Sequence, residues 1–288
     1  MIYLIVVNYE STELIRRLLA SLPHPQEQSY EVILVNNSPS DRALQSLASD
    51  IVHILEAEAN LGFGGGCNLG LQWVYARDKG AIAWLLNPDT QLHADSLKNV
   101  LPFCQSHPEL SIIGTVIREP TGKIWFAGGE FEPGNGRIVA SETLPRAGIA
   151  YWETAWITGC SLILNLQNFA ECPQFAPDFF LYYEDFDFCR RYANQGHAIA
   201  VTGSIQVIHQ PSSITSRNPA LKLEYSTESY LLALAKHTPR RVVWYRLGRI
   251  LLRALRMSVV EPPTAIAIIK GVQNYRVRVS RFDQSPHH

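Results

Sequence analysis

The hydrophobic positions in the first half of the chain follow two alternating periods. Short continuous apolar runs, typical of buried parallel strands, are separated by stretches in which apolar residues recur every three or four positions, as in amphipathic helices. The runs predict strands at residues 2–8, 31–35, 51–55, 82–86 and 111–118. Strands that alternate with helices in this way predict an α/β fold with a mostly parallel central sheet and helices on both faces.

The second half of the chain is less regular and ends in a long helical pattern. Residues 119–149 are rich in glycine and proline, which predicts a hairpin or a long loop over the site rather than core. Helical spacing begins at Arg217 and continues towards the C-terminus. We therefore expect a main domain at residues 1–215 and a C-terminal helical extension at residues 216–288.

One short stretch brings a carboxylate to the end of a predicted strand. The run 82–86 is followed by Asn87, Pro88 and Asp89, and the strand must end there because proline donates no ladder hydrogen bond. Open α/β sheets bind ligands at the carboxyl ends of their strands. A single carboxylate there suits a divalent cation that is also bound to phosphate, as Mg²⁺ prefers. Alternatively, Asp89 caps the next helix, which we predict at residues 94–104.

Other polar side chains follow the predicted strands at the same edge. They are Asn8, Glu10, Asn36, Asn37 and Asn60. Parallel strands present their carboxyl ends together, so we expect these side chains to gather along one edge with Asp89. The alternative is that each of them only satisfies a turn, which Asn and Asp do well.

Residues 60–70 are unusually rich in glycine and lead from a strand into a predicted helix. Glycines in this position let the backbone approach a ligand at the start of a helix, where the free N–H groups favour phosphate. The spacing matches neither the Walker pattern nor the G-x-G-x-x-G turn of dinucleotide-binding proteins, so neither mechanism is implied.

Glu184, Asp185 and Asp187 concentrate three carboxylates among aromatic residues. Burial and crowding raise the pKa of a carboxyl group, which suits a general base that works near neutral pH. A capped and salt-bridged helix start explains the same pattern equally well. His209, which follows the apolar run 205–208, is either a structural residue or a second metal ligand.

Composition narrows the classes of function. The 288 residues carry a formal net charge of -1, which argues against a general nucleic-acid binder. The five cysteines are scattered, as in a reduced cytosolic protein, and the chain begins directly with a strand rather than a signal peptide. No apolar run approaches the roughly 20 residues of a membrane span. We therefore expect a cytoplasmic protein.

Arginines recur at helical spacing within the predicted extension. They are Arg246, Arg249, Arg253 and Arg256, interleaved with Trp244, Leu247, Ile250, Leu251 and Leu255. Such a helix can lie peripherally in a membrane interface, with its arginines on anionic head groups. The alternative is a helix that packs on the main domain and exposes a solvated basic face.

Several of these motifs occur in a specific order along the chain. They are Val6-Val7-Asn8-Tyr9, Val35-Asn36-Asn37-Ser38 with Asp41, Asn60-x-Gly62-Phe63 through Asn68-x-Gly70, Leu86-Asn87-Pro88-Asp89-Thr90, Thr158-Gly159-Cys160, Phe180-x-Tyr182-x-Glu184-Asp185-x-Asp187 and His209. From about Val6 to Ser213, the chain resembles family 2 glycosyltransferases of the GT-A fold, and in particular their bacterial rhamnosyltransferase-like branch.

The resemblance implies a role for each motif. Asp185 would be the catalytic base, and Asp89 with His209 would hold Mg²⁺ or Mn²⁺ against the diphosphate of the donor. Residues 1–118 would form the nucleotide-binding part and residues 119–215 the acceptor part. The acceptor-binding residues would be Thr158, Gly159 and Glu184. The residues that bind the nucleotide sugar would be Val7, Asn8, Glu10, Asn36, Asn60, Gly62, Phe63, Gly66, Asn68 and Asn87.

The resemblance also implies an inverting transfer of rhamnose or a similar hexose. The donor would be a dTDP- or UDP-linked sugar, and the acceptor a hydroxyl group of a glycan or a lipid-linked glycan. The acceptor oxygen attacks the anomeric carbon in line, so a single base is required, unlike the paired carboxylates of glycosidases. Asn36 and Glu10 depart from the residues usual in the family, which leaves the nucleotide open.

Two other functions compete with this interpretation. A sugar nucleotidyltransferase uses a similar sheet but needs a basic glycine-rich loop near its N-terminus, and residues 8–11 are not basic. A sugar-nucleotide-binding homologue without catalytic activity is the second alternative. It would keep the donor site and lose transfer.

Overall fold

The computed structural model describes residues 1–146, 148–210 and 218–282. Within these residues the central sheet has ten strands: β1 (Ile2–Asn8), β2 (Tyr30–Asn36), β3 (Val52–Glu56), β4 (Ile82–Leu86), β5 (Thr90–Leu92), β6 (Leu110–Arg118), β7 (Ile124–Phe126), β10 (Tyr151–Glu153), β11 (Ser161–Asn165) and β12 (Ala198–His209). A separate hairpin is formed by β8 (Gly129–Glu132) and β9 (Arg137–Ala140).

In the part of the chain that the structure describes, four helices belong to the sheet region and three follow it. They are α1 (Thr12–Ala20), α2 (Gly62–Arg77), α3 (Ser96–Ser106), α4 (Glu184–Asn194), α5 (Pro219–His237), α6 (Arg240–Val260) and α7 (Pro262–Phe282). Short 3₁₀ turns occupy Arg42–Leu47 and Leu166–Asn168.

The strands are apolar throughout because both faces of the sheet are covered. In β1, Ile5 and Val7 join a core that also contains residues of α2 and α4. Leu4 and Val6 point to the other side, into a core built with α1 and α3. The prediction of helices on both faces is confirmed.

The sheet runs in the order β10-β12-β6-β11-β4-β1-β2-β3. Strands β1 to β4 pair in parallel, as the first half of the sequence predicts. β11 lies between β4 and β6 and is antiparallel to both. Across the described residues the sheet contains four parallel and five antiparallel strand pairs, so the α/β class is confirmed with a sheet of mixed direction.

The segment after Asp89 resolves one of the alternatives left open by the sequence. The chain passes through β5 before α3 begins at Ser96, and Asp95 occupies the N-cap position. Asp89 therefore does not cap the following helix.

The C-terminal helices pack on the sheet region and on one another. α5 contacts α4, α6 and α7, and α6 contacts α7. The predicted boundary between residues 215 and 216, and Ser213 at the end of the family resemblance, lie outside the described residues. Among the helices of the described residues, none has the length and hydrophobicity that crossing a bilayer requires.

Candidate active site

The ends of β1 and β2 are joined by a buried polar network. The side-chain amide of Asn8 donates to Oδ1 of Asn36 at 3.2 Å and to Oδ2 of Asp41 at 3.1 Å. Asn8 Oδ1 in turn accepts the backbone N–H of Ser11. Asn36 also donates to the carboxylate of Glu56 at 2.8 Å. The predicted gathering is therefore observed for Asn8 and Asn36, and donor binding by these two residues stays a prediction.

Asn37, which was not among the predicted donor-binding residues, joins the end of β2 to the start of α2 through its side chain. Its amide donates to Oδ1 of Asn60 and to the carbonyl of Gly62, both at 3.0 Å, and its Oδ1 accepts the N–H of Leu61 at 2.8 Å. The sequence signal that could have indicated this role is the pair Asn36-Asn37 directly after a strand. Nearby, the predicted donor-site residue Glu10 is exposed and adopts a left-handed backbone with φ of 47°.

The glycine-rich stretch forms the first turns of α2 and packs against protein atoms. A Cβ atom at Gly62 would lie 2.1 Å from the carbonyl oxygen of Phe180, and one at Gly66 would lie 2.6 Å from Cγ1 of Val7. The close approach that these glycines allow is therefore to neighbouring segments of the chain. These contacts explain why glycine is needed at the two positions, and binding of a ligand by the backbone of this turn stays a prediction.

Two further residues of this helix, Phe63 and Asn68, connect it to the segment 175–180. The backbone N–H of Phe63 donates to the carbonyl of Phe180 at 3.1 Å. The side chain of Asn68 forms two hydrogen bonds with the backbone of Phe175, one from its amide at 2.9 Å and one to its oxygen at 2.7 Å. Asn68 thus ties α2 to a segment more than a hundred residues later. These two hydrogen bonds explain an asparagine at this position without a role in donor binding.

Asp89 and His209 meet where β4 ends and β12 pairs with β5. His209 Nε2 lies 3.3 Å from Oδ1 of Asp89, and both side chains are about 6% exposed. The ring of Trp125 packs edge-on against that of His209, with centroids 4.6 Å apart. Beside them is a cavity of about 320 Å³ that is lined by Asp89 and by residues that include Arg17 and Gln210.

This pair offers one oxygen and one nitrogen ligand to a cation. Two neighbouring ligands of an octahedral ion, each about 2.1 Å from it, lie about 3 Å apart, close to the separation of Asp89 and His209. Within the described residues, no group of three or more His, Cys, Asp or Glu side chains is arranged to hold a metal. The pair therefore fits an ion that takes its other ligands from a bound diphosphate.

Asp185 lies in the first turn of α4 and is held by backbone amides. Gly159 donates to its Oδ2 at 2.9 Å and Phe186 to its Oδ1 at 2.7 Å. Burial raises the pKa of Asp185, and these amides and the Thr158 hydroxyl partly offset that rise. Among the described residues, Thr158, Gly159 and Asp185 therefore form one contiguous group, as expected for an acceptor site.

Glu184 is buried beside Asp185. It is 5% exposed, and its Oε2 has no hydrogen-bond partner among the residues that the structure describes. Burial raises the pKa of Glu184 to about 8, and the charge of Asp185 contributes to the rise. Glu184 is thus protonated at neutral pH, whereas Asp187, one turn into the helix, is paired with Arg191 at 2.7 Å.

The backbone just before Glu184 and Asp185 is strained. Tyr182 and Tyr183 have φ values of 70° and 61°, in the left-handed region that residues with side chains rarely occupy. Such outliers persist only where the surroundings hold them, and they cluster at functional sites. The strained pair therefore marks this turn independently of the carboxylates.

The C-terminal helices supply the contacts that hold the segment 178–187. Ser229 in α5 donates to the carbonyl of Leu181 at 2.8 Å, and Arg278 in α7 donates to the carbonyl of Asp178 at 2.8 Å. His237 Nε2 lies 2.9 Å from Oδ1 of the fully buried Asp187. Sequence reasoning missed these residues, because each lies in an ordinary helical pattern that does not indicate what it faces.

The turn 158–160 is linked both to the end of β4, just before Asp89, and to Asp185. The N–H of Asn87 donates to the carbonyl of Cys160 at 3.0 Å, and the neighbouring Gly159 holds Asp185. Burial raises the pKa of the Cys160 thiol, and the charges of both Asp89 and Asp185 raise it further. Cys160 thus lies within electrostatic range of both carboxylates.

Solved structures with the same fold include several glycosyltransferases. GalNAc-T7 with UDP, GalNAc and Mn²⁺ aligns with a TM-score of 0.60 at 14% identity, over 100% of this chain and 57% of that one. The mannosyltransferase PcManGT from Pyrobaculum calidifontis, in complex with GDP-Man and Mn²⁺, aligns with a TM-score of 0.55 at 12% identity, over 99% and 88% of the two chains. The S. aureus TarS fragment 1–349 gives 0.52 at 15% identity, over 100% and 92%.

Sequence comparison gives more specific relatives. An N-acetylglucosaminyl-diphospho-decaprenol L-rhamnosyltransferase of Mycobacterium tuberculosis is 26% identical over 268 residues, with 84% of this chain and 85% of the relative covered. The low-salt glycan biosynthesis hexosyltransferase Agl10 of Haloferax volcanii is 25% identical over 233 residues, with 79% and 71% covered. The family model described as Glycosyl transferase family 2 matches residues 3–158, more than half of the chain. The protein is therefore a glycosyltransferase that belongs to family 2, and it is similar to the rhamnosyltransferases of that family.

Proposed function

We propose that this enzyme transfers rhamnose or a similar hexose, with inversion, from a nucleoside-diphosphate sugar to a hydroxyl group of a lipid-linked glycan. The observation that supports it best is the turn 158–160, in which Gly159 donates to Asp185 and Cys160 accepts the N–H of Asn87, two residues before Asp89. A cation site and a base are the two groups that such a reaction needs on either side of the anomeric carbon.

Asp185 acts as the base. One oxygen of its carboxylate takes the proton of the acceptor hydroxyl while the acceptor oxygen forms a bond to the anomeric carbon. The bond between that carbon and the diphosphate oxygen breaks, and the nucleoside diphosphate leaves with the bonding electrons. The amides of Gly159 and Phe186 orient the carboxylate and leave lone pairs on both oxygens for the incoming proton.

Asp89 and His209 would hold Mg²⁺ or Mn²⁺. The ion, when bound, would offset the negative charge that grows on the departing diphosphate. The oxygen and nitrogen pair, 3.3 Å apart, supports this role. So do the Mn²⁺ ions named with two structures of the same fold.

Glu184 would contact the acceptor as a neutral acid. Its buried Oε2 has no partner within the described residues, and a pKa of about 8 keeps the proton in place at neutral pH. A protonated carboxyl group donates one hydrogen bond, so it can orient an acceptor oxygen without adding charge beside Asp185. Thr158 and Gly159 would complete this side of the site.

The substrate classes rest on the relatives. The mycobacterial relative is named for transfer of L-rhamnose to N-acetylglucosaminyl-diphospho-decaprenol, and the archaeal one for hexosyl transfer in glycan biosynthesis. We extend the acceptor class, a lipid-linked glycan, to this chain. The donor, a dTDP- or UDP-linked sugar, would lie along Val7, Asn8, Glu10, Asn36, Asn60, Gly62, Phe63, Gly66, Asn68 and Asn87.

The proposal is tested by calorimetric titration and by a transfer assay. The protein is titrated with dTDP-rhamnose and a panel of UDP- and GDP-sugars, with Mn²⁺ and with chelator, and transfer is measured to a synthetic N-acetylglucosaminyl-diphospho-lipid. We expect one donor to bind in the presence of Mn²⁺ and its sugar to be transferred with inverted anomeric configuration. Donor binding without any transfer would favour the non-catalytic alternative. Absence of binding by every sugar nucleotide would refute the proposal.

A further inference from the structure

The exposed surface of α6 is divided between an apolar stripe and a basic stripe. Trp244, Leu251, Leu255 and Val259 are 71%, 45%, 67% and 86% exposed. Their spacing of seven, four and four residues places them on one side of a helix. Val243 and Ala254 lie on another side and are buried against the rest of the protein. The apolar stripe is thus additional to the side that α6 uses for packing.

The basic stripe is reached from the apolar one through Tyr245 and Leu252, which are also exposed and lie between them around the helix. Arg246, Arg249, Arg253 and Arg256 are spaced by three, four and three residues, which also places them along one side of the helix. Residues 240–260 contain six arginines and no aspartate or glutamate. The exposed side chains of α6 are therefore mostly apolar or positively charged.

Exposed apolar side chains are concentrated in this part of the molecule. Ten of the sixteen large hydrophobic residues that are exposed within the described residues lie between Trp244 and Val277, on α6 and α7. Scattered single hydrophobics are normal on a protein surface, but a contiguous patch of this kind marks a contact with something else.

We infer that this side of α6 docks on an anionic lipid bilayer. An interfacial helix buries its apolar side at the boundary between head groups and acyl chains and keeps its arginines among the phosphates, which is the division that α6 shows. Trp244 is suited to the level of the head groups. A second copy of the chain fits less well, because a two-fold contact through the same patch would bring two rows of arginines together.

The docking surface is connected to the candidate active site. α6 contacts α5, and Ser229 of α5 holds the carbonyl of Leu181 in the segment that carries the base. An enzyme whose acceptor is anchored in a bilayer gains by binding that bilayer itself. This inference therefore deepens the proposed function and rests on it for the identity of the acceptor, but the docking itself requires neither donor nor transfer.

Sedimentation with vesicles tests the docking. The full chain is mixed with vesicles of phosphatidylcholine alone, or of phosphatidylcholine with phosphatidylglycerol, and the pelleted fraction is measured at low and high salt. We expect pelleting with the anionic vesicles, weakened by salt, and little with the neutral ones. At roughly fivefold per arginine, the triple variant Arg249→Gln, Arg253→Gln, Arg256→Gln should bind about a hundredfold more weakly.

Matched variants separate the surface from general charge and hydrophobicity. Arg42→Gln with Lys79→Gln and Lys123→Gln removes three exposed charges elsewhere, and Ile149→Glu is the counterpart of Leu255→Glu. The α6 variants should lose binding while these two controls keep it, with circular dichroism to confirm that all are folded. If Leu255→Glu does not fold, the triple arginine variant still tests whether α6 binds the vesicles.

Two results would overturn the inference. One is that the wild-type chain stays in the supernatant with anionic vesicles at low salt, or that all variants sediment alike. The other is a wild-type dimer in solution that Leu255→Glu converts to a monomer without any effect of lipid, which would assign the surface to a second copy. Because sedimentation involves no sugar nucleotide, either failure leaves the proposed transfer intact, and a failed transfer assay leaves the docking intact.

Discussion

The backbone N–H of Gly159 lies 2.9 Å from Oδ2 of Asp185 and donates a hydrogen bond to it. Asp185 is thereby fixed by a turn that begins 27 residues earlier, at Thr158, and that also carries the carbonyl bonded by Asn87. A carboxylate that two amides orient is in position before the hydroxyl group binds. Less reorganisation of the carboxylate is then needed during proton transfer.

Asp185→Asn should abolish transfer and preserve donor binding. The amide that replaces the carboxylate cannot take a proton, and loss of a general base costs about 10²- to 10⁴-fold in rate. Donor affinity measured by calorimetry should change little, because the base contacts the acceptor. The exposed Asp50→Asn serves as the control and should keep both properties. Equal transfer rates in the two variants would remove Asp185 from its role.

Asp89→Asn and His209→Asn should both raise the Mn²⁺ concentration needed for donor binding. Each removes one of the two side chains that would hold the ion, and the loss of Asp89 should be the greater because it also removes the negative charge. Donor titrations at a series of Mn²⁺ concentrations measure the effect. His93→Asn, an exposed histidine near the same strand, should leave the dependence unchanged. A dependence shared by all three variants would contradict the assignment.

Glu184→Gln should stabilise the protein at alkaline pH. Burial raises the pKa of Glu184 to about 8, so between its ordinary value and pH 8 the folded state holds a proton that the unfolded chain releases. Stability therefore falls as pH rises through this window, by at most about 1.4 kcal/mol per pH unit for one proton. Glutamine is neutral throughout and removes this loss.

Thermal unfolding between pH 5 and pH 9 measures the effect. The melting temperature of Glu184→Gln should exceed that of the wild type by several degrees near pH 8.5, and the difference should shrink towards pH 5. The exposed Glu171→Gln should follow the wild type at every pH. A constant difference across the range would mean that Glu184 is not protonated in the folded state.

His237→Leu should lower the turnover number more than it lowers donor affinity. The substitution removes the hydrogen bond to the buried Asp187, which keeps only Arg191, and should cost about 1–3 kcal/mol of stability. Because the segment 178–187 carries the base, its displacement affects transfer rather than the donor site. His237→Gln, which can still donate a hydrogen bond, should restore part of the rate.

The adjacent Lys236→Met provides the control for His237. Lys236 pairs with Asp178 in a partly exposed position, where an ion pair contributes little. Its loss should leave turnover close to that of the wild type. Equal losses in Lys236→Met and His237→Leu would indicate general damage to α5 rather than positioning of the base.

The sequence predicted the strands and the acids but not the contacts that hold the acids. Apolar runs and the stop at Pro88 depend on local chemistry, so β4 and the place of Asp89 after it were predictable. The antiparallel insertion of β11 was not, since its three apolar residues, flanked by Ser161 and Asn165, have the same pattern in either direction. The role of His237 depends on a neighbour fifty residues away, for which a single sequence holds no signal.

The glycine-rich stretch shows what a pattern of glycines leaves open. Its place after a strand and before a helix indicated a phosphate turn, yet Gly62 is required by the carbonyl of Phe180 and Gly66 by the side chain of Val7. A ligand and a neighbouring backbone exclude a Cβ atom equally well. The pattern of glycines therefore predicted a close approach correctly without identifying what approaches.

Gly62→Ala should cost both stability and activity, well beyond the cost of a left-handed alanine. Gly62 has φ of 75°, and a Cβ atom there would overlap the carbonyl of Phe180, which also accepts the N–H of Phe63. Gly122→Ala is the matched control, because its φ of 86° imposes a similar backbone strain of about 1–2 kcal/mol while no atom lies within 4 Å of the new Cβ. The difference in melting temperature between the two variants isolates the steric contact. Phe180 lies just before the strained turn that leads to Asp185, so Gly62→Ala should also reduce the rate of transfer. Gly122→Ala should not reduce it. Equal transfer rates and equal melting temperatures in the two variants would show that α2 does not position the acceptor side.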